Sequence, residues 1–199
     1  MKKTLTVLMM LLLAAMLIVS CNNNPEQEEK VEVGGTIERG TYPTTAGETY
    51  DGKPITWKVL AITDGRALVI SEKLLTSKAH ASTSVSGLAW ADSEINKWLN
   101  NTSSDGFIAQ YGLGDVSMAQ VDDVNGKVFL LTKTEAGTYF SDDASRVATD
   151  LSGNASRWWL SSLYGSNYYD SVRDSGDFDS GGTPVNYPFG VRPAFWINL

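Results

Sequence analysis

The chain closes with an apolar segment, residues 189–199, that must be buried by the rest of the fold. Alternate side chains of an extended strand point to opposite faces of its sheet. The two sets here are Phe195, Ile197 and Leu199 on one side, and Ala194, Trp196 and Asn198 on the other. Both faces need cover, which predicts an interior strand. Pro193 has no amide donor, so we expect a bulge or an edge position there, with strand on either side.

Arg192 is the only charged residue of this closing segment. A buried guanidinium needs partners, since an isolated buried charge is costly. Several aspartates lie in the preceding polar segment, residues 164–188. We predict a buried ion pair between Arg192 and one of them, which would fix that segment to the final strand.

Two apolar runs near the start of the globular region, residues 55–62 and 67–70, are separated by Asp64-Gly65. Asp-Gly between apolar runs is a strong signal for a β-hairpin. The period then changes to that of a helix over residues 90–100, with Asp92 or Ser93 as the N-cap. A second short helix is predicted over Phe107, Ile108 and Tyr111, ending at Gly112.

The second half of the chain alternates strands with polar segments. Residues 127–131 and 157–162 are predicted strands, and Thr132 or Thr134 is predicted to cap a helical turn that ends near Phe140. Residues 141–156 are predicted to be largely loop. Residues 164–188 are predicted to be one long loop with a single hairpin around Ser175-Gly176. The elements together indicate an α+β domain, with mixed and mostly antiparallel sheets and two or three short helices.

The N-terminus has the pattern of an exported lipoprotein. Lys2 and Lys3 precede an apolar run that is too short to span a membrane comfortably, which predicts a signal peptide over residues 1–20. Residues 18–21, Ile-Val-Ser-Cys, resemble a lipobox, in which Cys21 is lipidated and becomes the mature N-terminus. An ordinary secretory signal is the alternative. Residues 21–36 are predicted to be a flexible tether and residues 37–199 a single globular domain.

The charge of the chain constrains its partners. The formal net charge is −7, and loss of two lysines with the signal peptide makes it −9. An acidic domain of this kind argues against nucleic acid and against electrostatic attachment to anionic lipid. Membrane attachment would then depend on acyl chains at Cys21. We expect a bacterial cell-envelope location, and the outer membrane in a diderm bacterium, because Asn rather than Asp follows Cys21.

Several short motifs occur in an order that resembles a known family. They are Gly40-Thr41-Tyr42-Pro43, residues 55–60, residues 67–71, Trp90-Ala91-Asp92-Ser93, Trp98-Leu99-Asn100, residues 128–131 with Glu135, residues 158–162, and Gly190-Val191-Arg192-Pro193-Ala194. Together they resemble the bacterial domain of unknown function 6273, from about residue 37 to the end. Ser161 departs from the family pattern, which has arginine after Trp-Trp-Leu.

The closing motifs are also similar to C-type-lectin-like domains, including the formylglycine-generating branch. That resemblance implies that the strand of Trp57 pairs with the strand of Trp196. It also implies that a long loop before the closing strand carries the ligand site. The cysteine-dependent chemistry of the formylglycine-generating branch is excluded, because the single cysteine of the chain is Cys21. Fold resemblance alone does not transfer function.

Candidate chemistries are few. His80 is the only histidine, and we interpret it as an exposed loop residue rather than part of a catalytic triad or a zinc site. Asp170, Asp174, Asp177 and Asp179 crowd residues 164–188 and are potential calcium ligands, although their spacing does not match an EF-hand. Turn formation explains them equally well. No cofactor is predicted.

Tyrosines within a segment of Ser, Gly, Asn and Asp are typical of a recognition surface, and cover of a sheet edge is the alternative. The candidate ligand-binding set is Tyr164, Tyr168, Tyr169, Arg173, Asp174, Asp177, Asp179 and Arg192. We therefore expect a lipid-anchored, non-enzymatic envelope module that binds a glycan or a protein. The alternatives are an envelope hydrolase that uses carboxylates of this segment and a structural lipoprotein without a small ligand.

Overall fold

The structure is a computed structural model that describes residues 30–44, 46–47, 49–122 and 126–199. Within these residues the chain is a mixed helix and sheet protein with short helices and mostly antiparallel strands, as the sequence predicts. The predicted signal peptide, Cys21 and most of the tether lie outside the described residues. In the described part of the chain, every helix is too short to cross a lipid bilayer.

The first sheet has the strand order β1-β2-β3-β10-β5 and is antiparallel throughout. Its strands are β1 (Thr36–Thr41), β2 (Pro54–Thr63), β3 (Arg66–Ser71), β5 (Val128–Phe129) and β10 (Ala194–Asn198). The predicted Asp64-Gly65 hairpin joins β2 to β3, and both turn residues have positive φ angles, 49° and 70°. That combination is the type I′ geometry that suits the twist of a hairpin.

The second sheet has the order β4-β9-β6-β7-β8. Its strands are β4 (Thr76–Lys78), β6 (Trp158–Gly165), β7 (Tyr168–Val172), β8 (Thr183–Pro184) and β9 (Phe189–Val191). All pairs are antiparallel except β6 with β9. Trp158 and Trp159 are both fully buried on opposite faces of β6, since their indole N–H groups donate to Arg146 and Lys78 respectively.

The closing segment belongs to both sheets, and Pro193 marks the change from one to the other. Its first half is β9 and its second half is β10, which lies between β3 and β5 as an interior strand. The chain makes a second crossing from β3 to β4, and the two crossings are bonded by Ser71 N–H to the Pro193 carbonyl at 3.0 Å. The predicted pairing of the Trp57 strand with the Trp196 strand is wrong, because β3 lies between β2 and β10 and satisfies the ladder of each.

Arg192 lies at this crossing and is buried, but the predicted pair with an aspartate is wrong. Its Nε donates to the Ser71 carbonyl at 3.0 Å and its Nη1 to the Arg146 carbonyl at 3.4 Å. The guanidinium also lies 5.1 Å from the ring centroids of Phe140 and Trp158. Burial lowers the pKa of Arg192 to about 10. Main-chain oxygens and ring faces therefore take the place of the carboxylate.

The helices are α1 (Glu94–Leu99), α2 (Phe107–Gln110), α3 (Lys133–Tyr139) and α4 (Asp143–Arg146). Ser93 caps α1, and Thr132 caps α3 in a capping box with Glu135, so the local predictions of both starts are confirmed. Helix α4 was missed within the stretch predicted as loop. Its capping box uses Asp142 and Ser145, a Ser in place of the usual Glu or Gln, so the sequence signal is weak.

Residues 164–188 are not one long loop. Strand β6 extends to Gly165, and a hairpin through Ser166 and Asn167 leads directly into β7. The predicted turn at Ser175-Gly176 is present, since Val172 bridges Phe178 and Gly176 has a φ of 90°. The strands were missed because Tyr, Ser and Asp in β7 lack the apolar run that normally marks a buried strand.

Candidate functional site

Three large side chains are exposed at the far end of the β6–β7 hairpin: Leu163, Tyr164 and Tyr168, at 51%, 48% and 41% exposure. We call them the hairpin surface. The Tyr164 hydroxyl donates to the Ser180 carbonyl at 2.7 Å. The ring of Tyr164 lies directly against Gly182, where any side chain would overlap it. These two contacts hold the Tyr164 ring in place while leaving half of the side chain accessible.

Tyr169, which follows Tyr168 on the strand, points to the opposite face and is fully buried. Its ring stacks on the His80 imidazole at 3.9 Å and its hydroxyl donates to the Leu88 carbonyl at 2.8 Å. Burial raises the pKa of Tyr169 to about 12. Tyr169 therefore packs in the core, and its side chain is not accessible to a ligand as predicted.

His80 is buried among aromatic rings, so its interpretation as an exposed loop residue is wrong. Trp159 and Trp90 contact the imidazole edge to face at 4.6 and 5.7 Å. Neither ring nitrogen makes a hydrogen bond of normal geometry among the described residues, and the main chain of Leu160 supplies only a weaker polar contact. Burial lowers the pKa of His80 to about 3, although the main chain of Leu160 opposes part of this shift. His80 is consequently neutral at physiological pH.

Asp179 is the centre of a second buried polar cluster, between β6, β7 and β8. Its carboxylate accepts bonds from Arg157 Nη1 at 2.8 Å, Arg173 Nη2 at 2.9 Å and the Thr183 hydroxyl at 3.1 Å. The Gly181 N–H donates to the same carboxylate at 3.1 Å. Burial disfavours the charge of Asp179, but these donors outweigh burial and lower its pKa. The candidate residue is thus an anchor for the segment rather than an accessible ligand group.

The neighbouring aspartates are also engaged within the protein. Asp177 accepts from the Ser175 hydroxyl and from Arg173 at 2.9 Å, and both contacts lower its pKa. Asp170 accepts from Ser162 at 2.8 Å and pairs with Lys133 at 3.3 Å. Asp174 is exposed and accepts the Ser175 N–H.

The surroundings of these aspartates disfavour calcium binding. Among the described residues, no three carboxylates, histidines or cysteines are grouped as a metal site. The oxygens of Asp177 and Asp179 instead face two guanidinium groups, whose charge repels a cation. The arrangement can hold a β-sheet segment rigid, and it offers no paired free carboxylates in residues 164–188 for acid–base chemistry.

A groove that sequence reasoning missed lies beside the crossing of the two sheets. Its walls are residues 74–77, 150–152 with Ser156, and 188–190, and it encloses about 320 Å³. Leu151 and Ser152 also line an adjoining space of about 510 Å³ that reaches Thr49 and Tyr50. A third space of about 430 Å³ lies elsewhere, next to Ile108, Met118 and Lys127. The groove is built from residues far apart in sequence, so no local signal could have found it.

Comparison with known proteins gives a family but no function. No curated protein and no solved structure matches the chain. A family model described as "Domain of unknown function (DUF6273)" matches residues 64–199. This match begins at the β2–β3 turn and includes every residue of the hairpin surface. The resemblance noted from the motifs is thereby confirmed over these residues, and the chain belongs to the DUF6273 family.

Proposed function

We propose that this protein is a non-enzymatic binding module of the bacterial cell envelope, anchored by a lipid at Cys21. It contacts its partner through the hairpin surface, Leu163, Tyr164 and Tyr168. The partner is an envelope protein or a glycan, and the exposed aliphatic side chain beside the two tyrosines favours a protein. Tyrosine suits this role because it offers rigid apolar area with a polar tip at a small entropic cost.

The observation that carries the proposal is the exposure of three large side chains on a hairpin whose base is fixed. Apolar side chains at a rigid and accessible position are a common feature of interaction sites. The cluster around Asp179 holds β7 and β8, and the Ser180 carbonyl holds the Tyr164 ring. A surface that is ordered before binding loses little conformational entropy when a partner docks.

The hydrolase alternative is less well supported. A glycosidase needs two carboxyl groups that flank a cleft and are free to donate and accept protons. Asp170, Asp177 and Asp179 are each bonded to a lysine or an arginine. Asp174 is exposed on a turn. Their engagement favours a structural role for these carboxylates.

The C-type-lectin-like architecture is part of the proposal. Two mostly antiparallel sheets, short helices and a polar segment before an interior closing strand support it. One feature differs from what that resemblance implies: β3 lies between β2 and β10, so the first and last strands of that pattern do not pair.

Site-specific photo-crosslinking in the bacterium that encodes the full chain tests this function. A photoreactive phenylalanine analogue replaces Tyr168, and in a control strain it replaces Val121, which is exposed to a similar extent at 40%. We expect a discrete cross-linked product from position 168 and not from position 121. The product should disappear when Tyr164→Ala is added. Products of equal yield from both positions, or a product insensitive to Tyr164→Ala, would contradict the proposal.

A further inference from the structure

We propose that the groove beside the sheet crossing binds a neutral oligosaccharide. Here the groove is taken together with its adjoining space. The combined lining includes residues 74–77, 150–153, 156 and 188–190, with Thr49 and Tyr50 at the far end. It is separate from the hairpin surface, and the inference does not depend on the proposed function.

The lining of the groove alternates apolar and hydroxyl-bearing side chains. Leu74, Leu151 and Phe189 provide apolar walls, while Ser77, Ser152 and Ser156 provide hydroxyl groups. None of the described lining residues is a lysine, an arginine or a histidine. Sugar rings have the matching character, with apolar C–H faces and a rim of hydroxyl groups, and pockets of this size use a few polar groups to orient such ligands.

Asp150 is the one charged residue of the described lining, and a turn fixes its carboxylate. Asp150 Oδ1 accepts the N–H groups of Ser152 at 2.9 Å and Asn154 at 3.0 Å. Oδ2 makes no hydrogen bond within the described part of the chain. A fixed carboxylate oxygen of this kind can accept bonds from sugar hydroxyl groups, and such charge-assisted bonds are stronger than neutral ones.

The three walls are tied to one another through the main chain. The Leu74 N–H donates to the Thr149 carbonyl at 2.9 Å, and the Leu75 N–H donates to the Val191 carbonyl at 3.0 Å. Lys73 donates to the Thr149 hydroxyl at 3.2 Å, and its ammonium lies 5.9 Å from the centroid of the Tyr50 ring. The groove is therefore formed before a ligand arrives, as expected for a small-molecule site.

The charge of the lining favours a neutral ligand over an anionic polymer. Asp150 is the only charged residue that lines the groove within the described part of the chain. Two neighbouring cations, Lys73 and Arg157, lie over the Tyr50 and Phe189 rings at 5.9 and 5.1 Å from the ring centroids. A neutral sugar chain avoids the Asp150 charge and matches the hydroxyl groups and apolar walls.

Isothermal titration calorimetry of the purified full chain in detergent tests the inference. The probes are cellotetraose, maltotetraose and chitotetraose, with tetragalacturonate and a tetra-alanine peptide as comparators. We expect at least one neutral tetrasaccharide to bind with a Kd of about 1 mM or lower, whereas the comparators do not bind. Ser152→Trp fills the groove and should weaken binding at least tenfold, while Ser104→Trp, the same change at an exposed distant turn, should have no effect.

Asp150→Asn is the conservative variant, because its amide oxygen can still accept the Ser152 and Asn154 N–H groups. It should weaken binding several-fold without lowering the melting temperature. The Tyr164→Ala/Tyr168→Ala double variant should keep full affinity, so failure of this site and failure of the hairpin surface are distinguishable. Absence of binding by all three neutral sugars, preference for the peptide or the anionic probe, or binding unaffected by Ser152→Trp would overturn the inference.

Discussion

His80 and Asp179 are both polar side chains buried beside the second sheet, and the protein accommodates them in opposite ways. Asp179 keeps its charge and is surrounded by donors from Arg157, Arg173 and Thr183. His80 loses its charge and is surrounded by aromatic rings, and among the described residues its nitrogens make no hydrogen bond of normal geometry.

This difference indicates which kinds of contact make the second sheet rigid. The Asp179 cluster joins three strands through directional bonds, so removal of Asp179 deprives Arg157 and the Thr183 hydroxyl of their carboxylate, while Arg173 keeps Asp177 as a partner. The His80 cluster relies on packing, so its polar atoms cost stability and its proton affinity is suppressed. Both clusters support the β6–β7 hairpin: the His80 cluster contacts Trp159 and Tyr169, and the Asp179 cluster contacts Arg157 and Arg173.

Asp179→Ala should have the largest effect. We expect a loss of about 2 kcal/mol in the free energy of unfolding, because the half-buried Arg157 and the Thr183 hydroxyl lose the carboxylate that they share. Urea denaturation of the full chain measures this loss. Asp174→Ala on the neighbouring exposed turn is the control and should change stability by less than ~0.5 kcal/mol. Equal effects of the two variants would show that the cluster is not structural.

The pH dependence of stability separates the two clusters. The pKa of His80 is about 3 in the folded protein against an ordinary value of 6.5, so the unfolded chain binds this proton more readily. The part of the free energy of unfolding that depends on neutral His80 is fully present above pH 6.5. It is lost as the pH falls, by about 2 kcal/mol at pH 5. Asp179 has a lowered pKa, so its contribution is complete above its ordinary pKa of 3.8 and is lost only at lower pH.

His80→Leu should abolish the decline in stability between pH 7 and pH 5, as measured by urea denaturation at each pH. Since the chain has a single histidine, no other imidazole can supply this dependence. An unchanged slope in the variant would place the titration elsewhere.

The smallest expected effect is a difference in stability between variants of the two tryptophans that contact His80. Trp159 Nε1 donates to the Lys78 carbonyl at 2.9 Å, whereas Trp90 Nε1 is buried without a partner among the described residues. Trp159→Phe should therefore be more destabilising than Trp90→Phe, by about 1 kcal/mol. Thermal and urea unfolding of the matched pair measure the difference, and the reverse order would mean that packing differences outweigh the hydrogen bond.

Local signals predicted the parts of the fold that local physics determines. Asp64-Gly65 gave the first hairpin, Ser93 the start of α1, and Thr132 with Glu135 the start of α3. Each depends on residues within a few positions of one another, where turn and capping preferences dominate.

Long-range features were not predictable from these patterns. The burial of His80 depends on Trp90, Trp159 and Tyr169, which are distant in sequence. The pairing of β10 with β3 and β5 joins residues that are distant in sequence. At the candidate site, Tyr164 and Tyr168 are accessible, whereas Tyr169, Asp179 and Arg192 are buried. Composition gave the residue types of the segment but not which face each one occupies.

Hydrogen–deuterium exchange of the full chain, with and without the cell-envelope fraction of the source organism, tests the central claim most directly. The claim is that the end of the β6–β7 hairpin is the contact surface. Slower exchange of the amides of residues 163–168 on addition of the fraction, with unchanged exchange in α1 and α2, is the result that we predict. Unchanged exchange over residues 163–168, with protection appearing in another part of the chain, would contradict it.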